Sequence, residues 1–430
     1  MCCRRPTLAL LALFLGTACL MKAGPGEGEG EGGEGEGEGG EGEGEGEGED
    51  LSTWYGDVLP VARQRCLQCH VQGGIGPVDL EDEDRVLELG PAISGEVAAG
   101  SMPPWMPAAD CGGHEYLGDL SLSAGERAVF AAWANDGWPL GDPADDPGGE
   151  LPTLPQLASV SVVLDAGFDY TAPNTLADEY RCFILDPDNA DDEHVVGYDI
   201  RPGAGEVVHH VILFKADRAA AQARDAEEAA EPGWQCFGSA DVDGSSFEDT
   251  IAAWAPGAGA TTFPAGTGLP LANSEVLVMQ VHYNTEAVVT VPPDRTEVAL
   301  QYAEGPVVEA RMVPVLDDDL TIAPGVTDHQ EGVSVPNPLT ADVYGVLPHM
   351  HALGQRITVS AAGACLVDIP SWDFHWQSTY FFAGGPVRVP QLAEIRLSCT
   401  YDNNTTELVR FGEGTSDEMC LAYFYFVPNP

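Results

Sequence analysis

Basic side chains are scarce in this sequence: 18 Lys and Arg stand against 69 Asp and Glu in 430 residues, a formal net charge of −51. A protein that displaces counterions from a phosphate backbone needs a basic stripe, so DNA and RNA are excluded as partners. Long apolar runs are lacking as well, and the N-terminal one, Leu8 to Leu15, is too short to span a bilayer. Helix-forming stretches are rare beyond Pro155, where only the Ala-rich segment Asp217 to Ala230 has the composition of a helix. No short-period repeat is visible there. At this length several domains are expected, because single cores stop growing at roughly 250–300 residues.

Arg4 and Arg5 precede the apolar run, and Gly16, Thr17 and Ala18 close it before Cys19. This is the pattern of an export signal over residues 1–19. Its end resembles a bacterial lipoprotein cleavage site, which favours lipid on Cys19, and hence membrane attachment, over plain cleavage. The mature chain is expected in the periplasm, on the outer membrane or at the cell surface. Disulfides persist there, so many of the eleven cysteines are candidates for bridges. Residues 20–50 are almost wholly Gly and Glu. Such a segment buries too little apolar area to offset its ordering entropy and reads as a solvated spacer.

The first folded unit is expected over 51–147. At its centre stands Cys66-Leu67-Gln68-Cys69-His70, the c-type haem attachment pattern, in which two thiols fix the vinyl groups and the histidine lies under the iron. Met102 is the candidate sixth ligand and Met106 the fallback. Ser123, with Glu126 three residues on, caps a helix that carries Val129, Phe130 and Trp133 on one face. The unit resembles a small cytochrome c. Pro139 to Pro155, rich in Pro, Gly and Asp, reads as a linker, a tether that lets the haem unit reach copper by repeated encounter.

Beyond the linker, short β-branched and aromatic runs alternate with Pro, Gly and Asn turns, which predicts two β-sandwiches, over 155–293 and 294–430. Three segments offer metal ligands. His349 and His351 stand two apart in a strand-like run and so share one face; they read equally as a metal pair or as a hydrogen-bonded core pair. His209 and His210 are adjacent, so a shared metal requires a bulge at that point. His282 is a third imidazole, and Met419 lies beside Cys420.

Taken in order, Tyr180 to Cys182, the His209-His210 strand, Trp254-Ala255-Pro256-Gly257, Gln280-Val281-His282-Tyr283, the His349-x-His351 strand and Ser416-Asp417-Glu418-Met419-Cys420 resemble the copper type II, ascorbate-dependent monooxygenase family over residues 155–430. The resemblance implies two mainly antiparallel, jelly-roll-like β-sandwiches with one copper each, facing a solvent-filled cleft, behind a small all-α cytochrome c-like domain. It implies that His209, His210 and His282 bind an electron-transfer copper, that His349, His351 and Met419 bind the copper that activates oxygen, and that Tyr423 belongs to the catalytic site. It also implies a Cys399–Cys420 bridge beside Met419. Cys182–Cys236 is a second candidate pair, and Cys111 and Cys365 stay unassigned. His114, His194, His329 and His375 match no ligand pattern and read as surface or core residues.

Peptide-amidating members hold a carboxylate with an arginine and an asparagine where this chain has Leu347 and Leu421, so the expected substrate is an apolar small molecule. The expectation is an exported enzyme that hydroxylates a C–H bond with O2 and two coppers, fed from an external electron donor through one covalent c-type haem. A non-catalytic copper and haem redox or sensor protein is the alternative.

Overall fold

The computed structural model describes residues 51–430 apart from 73–75, 77, 151–154, 176–177, 229, 237, 257, 286–287, 375, 413, 415 and 430. The export signal, Cys19, the Gly/Glu spacer and His375 lie outside the described residues. Leu51–Pro430 forms one compact unit. Among its described residues no helix is long and apolar enough to cross a membrane.

Three α-helices, Leu59–Arg65, Glu83–Ala99 and Ala124–Asn135, build the N-terminal part. Asp82 accepts the N–H groups of Asp84 and Arg85 at the start of the second, and Gly100, at φ +77°, ends it in the left-handed conformation that glycine adopts without strain. Ser123 and Glu126 form the expected capping box on the third. The apolar faces close on a core of their own around Trp54, Val86, Phe130 and Trp133. Part of the predicted linker belongs to this unit. Trp54 N–H donates to the Pro139 carbonyl at 2.9 Å, and Arg63 grips both carboxylate oxygens of Asp146 at 2.9 and 2.7 Å.

The rest of the chain is mainly β. A six-stranded sheet runs Val162–Leu164, Glu297–Tyr302, Glu193–Arg201, Thr267–Leu271, Val308–Glu309, with Thr261–Thr262 added to Glu193–Arg201. A five-stranded sheet runs Trp234–Gln235, Asp178–Leu185, Glu275–Asn284, Val208–Asp217, Thr250–Trp254. The expected Ala-rich helix is present as Arg218–Glu227, with Asp217 as its cap. Because Glu297–Tyr302 and Val308–Glu309 pair inside the first region, the division at 293/294 moves to between Glu309 and Arg311.

The second region pairs Arg311–Leu316, Leu421–Pro428, Ala341–His349 and Tyr380–Phe381 in that order, with Val387–Val389 added to Ala341–His349. A four-stranded sheet, His329–Pro336, Glu394–Tyr401, Gly354–Ala361, Ala364–Ile369, stands beside it. The strand Leu421–Pro428 is apolar at nearly every position because both of its faces are buried. Leu421, Tyr423, Tyr425 and Val427 enter the core of the first region, whereas Ala422 and Phe424 enter that of the second. Alternation along one strand thus joins the two β regions, and the hydroxyls of Thr267 and Tyr425 meet at 2.8 Å across the join.

Between Met102 and Leu122 the chain leaves the helical core. The Ala108 N–H donates to the Asp368 carbonyl at 2.8 Å, Leu117 N–H to Phe381 at 2.8 Å, and Ala383 N–H to Glu115 at 2.7 Å. Cys111 is bonded to Cys365 across 254 residues, which supplies the pairing that spacing left open. Gly112, at φ +62°, allows it, since a Cβ there would lie 2.3 Å from the Cys365 carbonyl. The unit drawn at 51–147 is therefore stitched to the second β region, and the predicted linker is not its sole connection.

Candidate metal centre

The first cluster is held by a sheet. Strand Val208–Asp217 pairs with Glu275–Asn284, and the register slips between Val208 and His210, so the bulge that adjacent histidines require is present at that point. It turns His209 toward the side on which His210 faces His282. The Nδ1 atoms of His209 and His210 are 3.4 Å apart, and those of His210 and His282 are 3.3 Å apart. His282 Nε2–H donates to Asp178 Oδ1 at 2.9 Å, which leaves its Nδ1 lone pair directed at His210. Tyr180 lies flat on the His282 ring at 4.2 Å. Burial holds His210 far below its usual range, and His282 is pushed down to about 4 by burial against the pull of Asp178. The His210 and His282 rings are thus neutral at neutral pH, the form that binds metal. Ligand nitrogens within 4.8 Å of one another suit one ion, since metal–nitrogen bonds run about 2.0–2.1 Å.

The second cluster is assembled from loops. His349 ends the strand Ala341–His349 and pairs with Leu421; continuing that antiparallel register sets His351 opposite Met419. The imidazole centroids of His349 and His351 are 5.1 Å apart. His349 Nδ1–H donates to Gln377 Oε1 at 2.5 Å, and His351 Nδ1–H donates to the Asp417 carbonyl at 3.0 Å. Both Nε2 atoms are left with lone pairs. Burial pushes His349 down to about 3 and His351 to about 4. Met419 is fixed by its neighbours: Cys420 is bonded to Cys399, and the Tyr401 hydroxyl donates to the Met419 carbonyl at 2.7 Å. The buried Glu418 carboxylate accepts the N–H groups of His351, Leu353 and Met419 at 2.8, 2.6 and 3.2 Å, tying the His-x-His turn to the methionine loop.

His209 and His210 of the first cluster and His349, His351 and Met419 of the second line one cavity of about 170 Å³, together with Leu347, Leu421 and Tyr423. The ring of Phe374 stands between them, 5.2 Å from His209 and 5.8 Å from His351, centroid to centroid. Two kinds of donor set, three imidazoles in one and two imidazoles with a thioether in the other, therefore stand at the same space, the first reaching it through His209 and His210. Both fit copper, for which imidazole and thioether are suitable ligands.

The Cys66–His70 motif lies apart from these clusters in the helical unit. Among the described residues Cys66 and Cys69 are the cysteines outside a disulfide, and burial pushes the Cys66 thiol up to about 12. His70 Nδ1–H donates to the Val78 carbonyl at 3.0 Å, leaving Nε2 available, and a Cβ at Gly76 would strike that ring. Free thiols and an oriented imidazole fit a covalent haem. Met102 is half-buried where the chain leaves the helical core. The fallback Met106 is engaged elsewhere, since its Sδ accepts the Asp373 N–H at 3.3 Å.

Cys182–Cys236 is bonded. His114 Nε2–H donates to the Cys365 carbonyl at 3.0 Å, His329 meets Glu331, and His194 lies near Glu309, none of them at a cluster. Sequence reasoning missed Asp178, Phe374, Gln377 and Glu418. Glu418 lies inside the quoted Asp417-Glu418-Met419 motif and was within reach; Phe374 and Gln377, on an irregular loop, carry no local signal.

Two family models match the chain: the N-terminal domain of copper type II ascorbate-dependent monooxygenase over residues 168–289 and its C-terminal domain over 319–430. Dopamine beta-hydroxylase of Rattus norvegicus is 25% identical over 293 residues, covering 61% of this chain and 46% of that protein. The Bos taurus protein of that name is 23% identical, covering 58% and 44%. Tyramine beta-hydroxylase of Caenorhabditis briggsae is 23% identical, covering 55% and 42%. The chain thus spans less than half the length of these relatives.

Proposed function

This chain belongs to the copper type II, ascorbate-dependent monooxygenase family, and we propose that it uses O2 and two copper ions to hydroxylate a C–H bond of an apolar small molecule. The observation that carries this reading is the pair of unlike donor sets opening on one cavity. Imidazole serves copper in both oxidation states and a thioether favours Cu(I), so unlike sites suit a division between supplying electrons and activating oxygen. Bound copper would supply the one-electron steps and the oxygen activation that no side chain offers.

The chain's own residues do the placing. Asp178 orients His282, Gln377 and the Asp417 carbonyl orient His349 and His351, and Glu418 ties the methionine to the His-x-His turn. Leu347 and Leu421 give the cavity an apolar wall where a carboxylate anchor is wanting, and Tyr423 adds a hydroxyl, 3.4 Å from that of Thr250. The hydroxylase names of the relatives agree with the reaction class. In this reading Cys66, Cys69 and His70 would hold a c-type haem, with Met102 the candidate for a further iron ligand. Such a haem would supply one-electron transfer from an external donor. Export to the periplasm or outer surface, with lipid on Cys19, completes the proposal.

The test is metal analysis and a haem spectrum on protein expressed with export, followed by oxygen uptake driven by ascorbate. The expected result is two coppers and one haem per chain, with uptake that a copper chelator stops. Uptake that survives complete removal of copper would overturn the reading.

A further inference from the structure

The segment that leaves the helical core is bound along its length to the second β region. Trp105 lies 5.4 Å from Tyr380, edge on, and Tyr116 lies 5.7 Å from the same ring. The Tyr116 hydroxyl donates to the Leu366 carbonyl at 2.8 Å, and Cys111–Cys365 closes the contact covalently. The far side of this seam is the loop that serves the histidines. Asp373 gives its N–H to Met106, the next residue, Phe374, stands between His209 and His351, and Gln377 holds His349. Trp372 Nε1–H donates to the His351 carbonyl at 3.1 Å.

We propose that Trp105–Leu117 is a covalently closed clamp that docks the Cys66–His70 unit on the Trp372–Gln377 loop, so that electrons enter the histidine cavity through the fixed contact of Met106, Asp373 and Phe374. The inference rests on the proposed role of the haem as electron supplier. In each transfer one electron leaves haem iron(II), which becomes iron(III), and reduces copper(II) to copper(I); no bond forms and no proton moves. Met102, the candidate for a further iron ligand in that reading, stands three residues before Trp105, so that candidate leads directly into the clamp. A flexible tether would make transfer depend on diffusional encounter at an effective concentration. A docked unit removes that dependence.

The experiment uses the full chain loaded with haem and copper. The haem is reduced anaerobically and its reoxidation by Cu(II) is followed by absorbance at several solvent viscosities, in the native protein and in the double variant Cys111→Ser, Cys365→Ser. Amide hydrogen exchange at Leu117, Asp373 and Ala383 is recorded in both, as a readout independent of activity. The expected result is a native rate independent of viscosity. In the variant the rate falls by roughly tenfold or more and becomes viscosity-dependent, protection at the three amides is lost, and haem spectrum and copper content are unchanged. Equal, viscosity-dependent rates in both proteins overturn the clamp while leaving the haem as supplier. No transfer in the native chain, with haem and copper both loaded, overturns the supplier reading and the clamp's electron role with it. Should the double variant fail to fold, Met106→Ala replaces it, with the same loss of rate expected and an unchanged rate overturning the fixed contact.

Discussion

The first histidine cluster is held by a sheet, the second by loops. His209, His210 and His282 stand on two paired strands, and the strand carrying Asp178 and Tyr180 pairs on the other side of His282. Ladder hydrogen bonds set their spacing. His349, His351 and Met419 instead converge from the ends of two strands, and their orientation comes from Gln377, the Asp417 carbonyl, Glu418 and the Cys399–Cys420 bridge. A site of imidazoles built into a sheet is restrained by the strand pairing on both sides of His282. A site gathered from loops can rearrange as its ligands demand, and there the bridge restricts how far Met419 moves.

That contrast is broken first at Met419. Met419→Ile should reduce oxygen-dependent turnover to background while the first cluster stays loaded, so that metal analysis finds one copper lost and the copper resonance signal of the three-imidazole site is unchanged. Undiminished turnover would remove Met419 from the site. Next in size is Cys399→Ser, which opens a bridge between residues 21 apart and should cost about 3 kcal/mol of stability. Thermal unfolding measures that loss, and turnover should fail at temperatures where circular dichroism still reports folded sheet. A peptide map of the native protein with both thiols free would rule this out.

Removing the groups that orient the rings sharpens the comparison. Asp178→Ala should weaken copper binding at the first cluster by about 10–100-fold, and Gln377→Leu should do the same at the second. Competition titration against a chelator distinguishes the two, and each variant is expected to spare the other site. A loss shared by both sites would show that Phe374 couples them more tightly than their separate supports imply. The smallest effect is expected at Tyr180, stacked at 4.2 Å on His282. Tyr180→Leu should cost about 1 kcal/mol at the first cluster, close to fivefold in Kd.

Much of this was present in the chain before any coordinates. The His-x-His spacing, the bulge demanded by His209 and His210, the capping box at Ser123 and Glu126, and the alternation of strands are local. They depend on backbone period and on neighbours a few residues away. Family resemblance added the ligand sets and the Cys399–Cys420 pairing. The tertiary structure decided what depends on distant segments: that Cys111 meets Cys365 across 254 residues, that Glu297–Tyr302 joins the first sheet, and that Asp178 reaches His282. It also placed Phe374 between His209 and His351, which lie more than a hundred residues apart in sequence. Such contacts follow from how whole sheets pack, and no period or propensity along the chain encodes which loop will fold over which strand end.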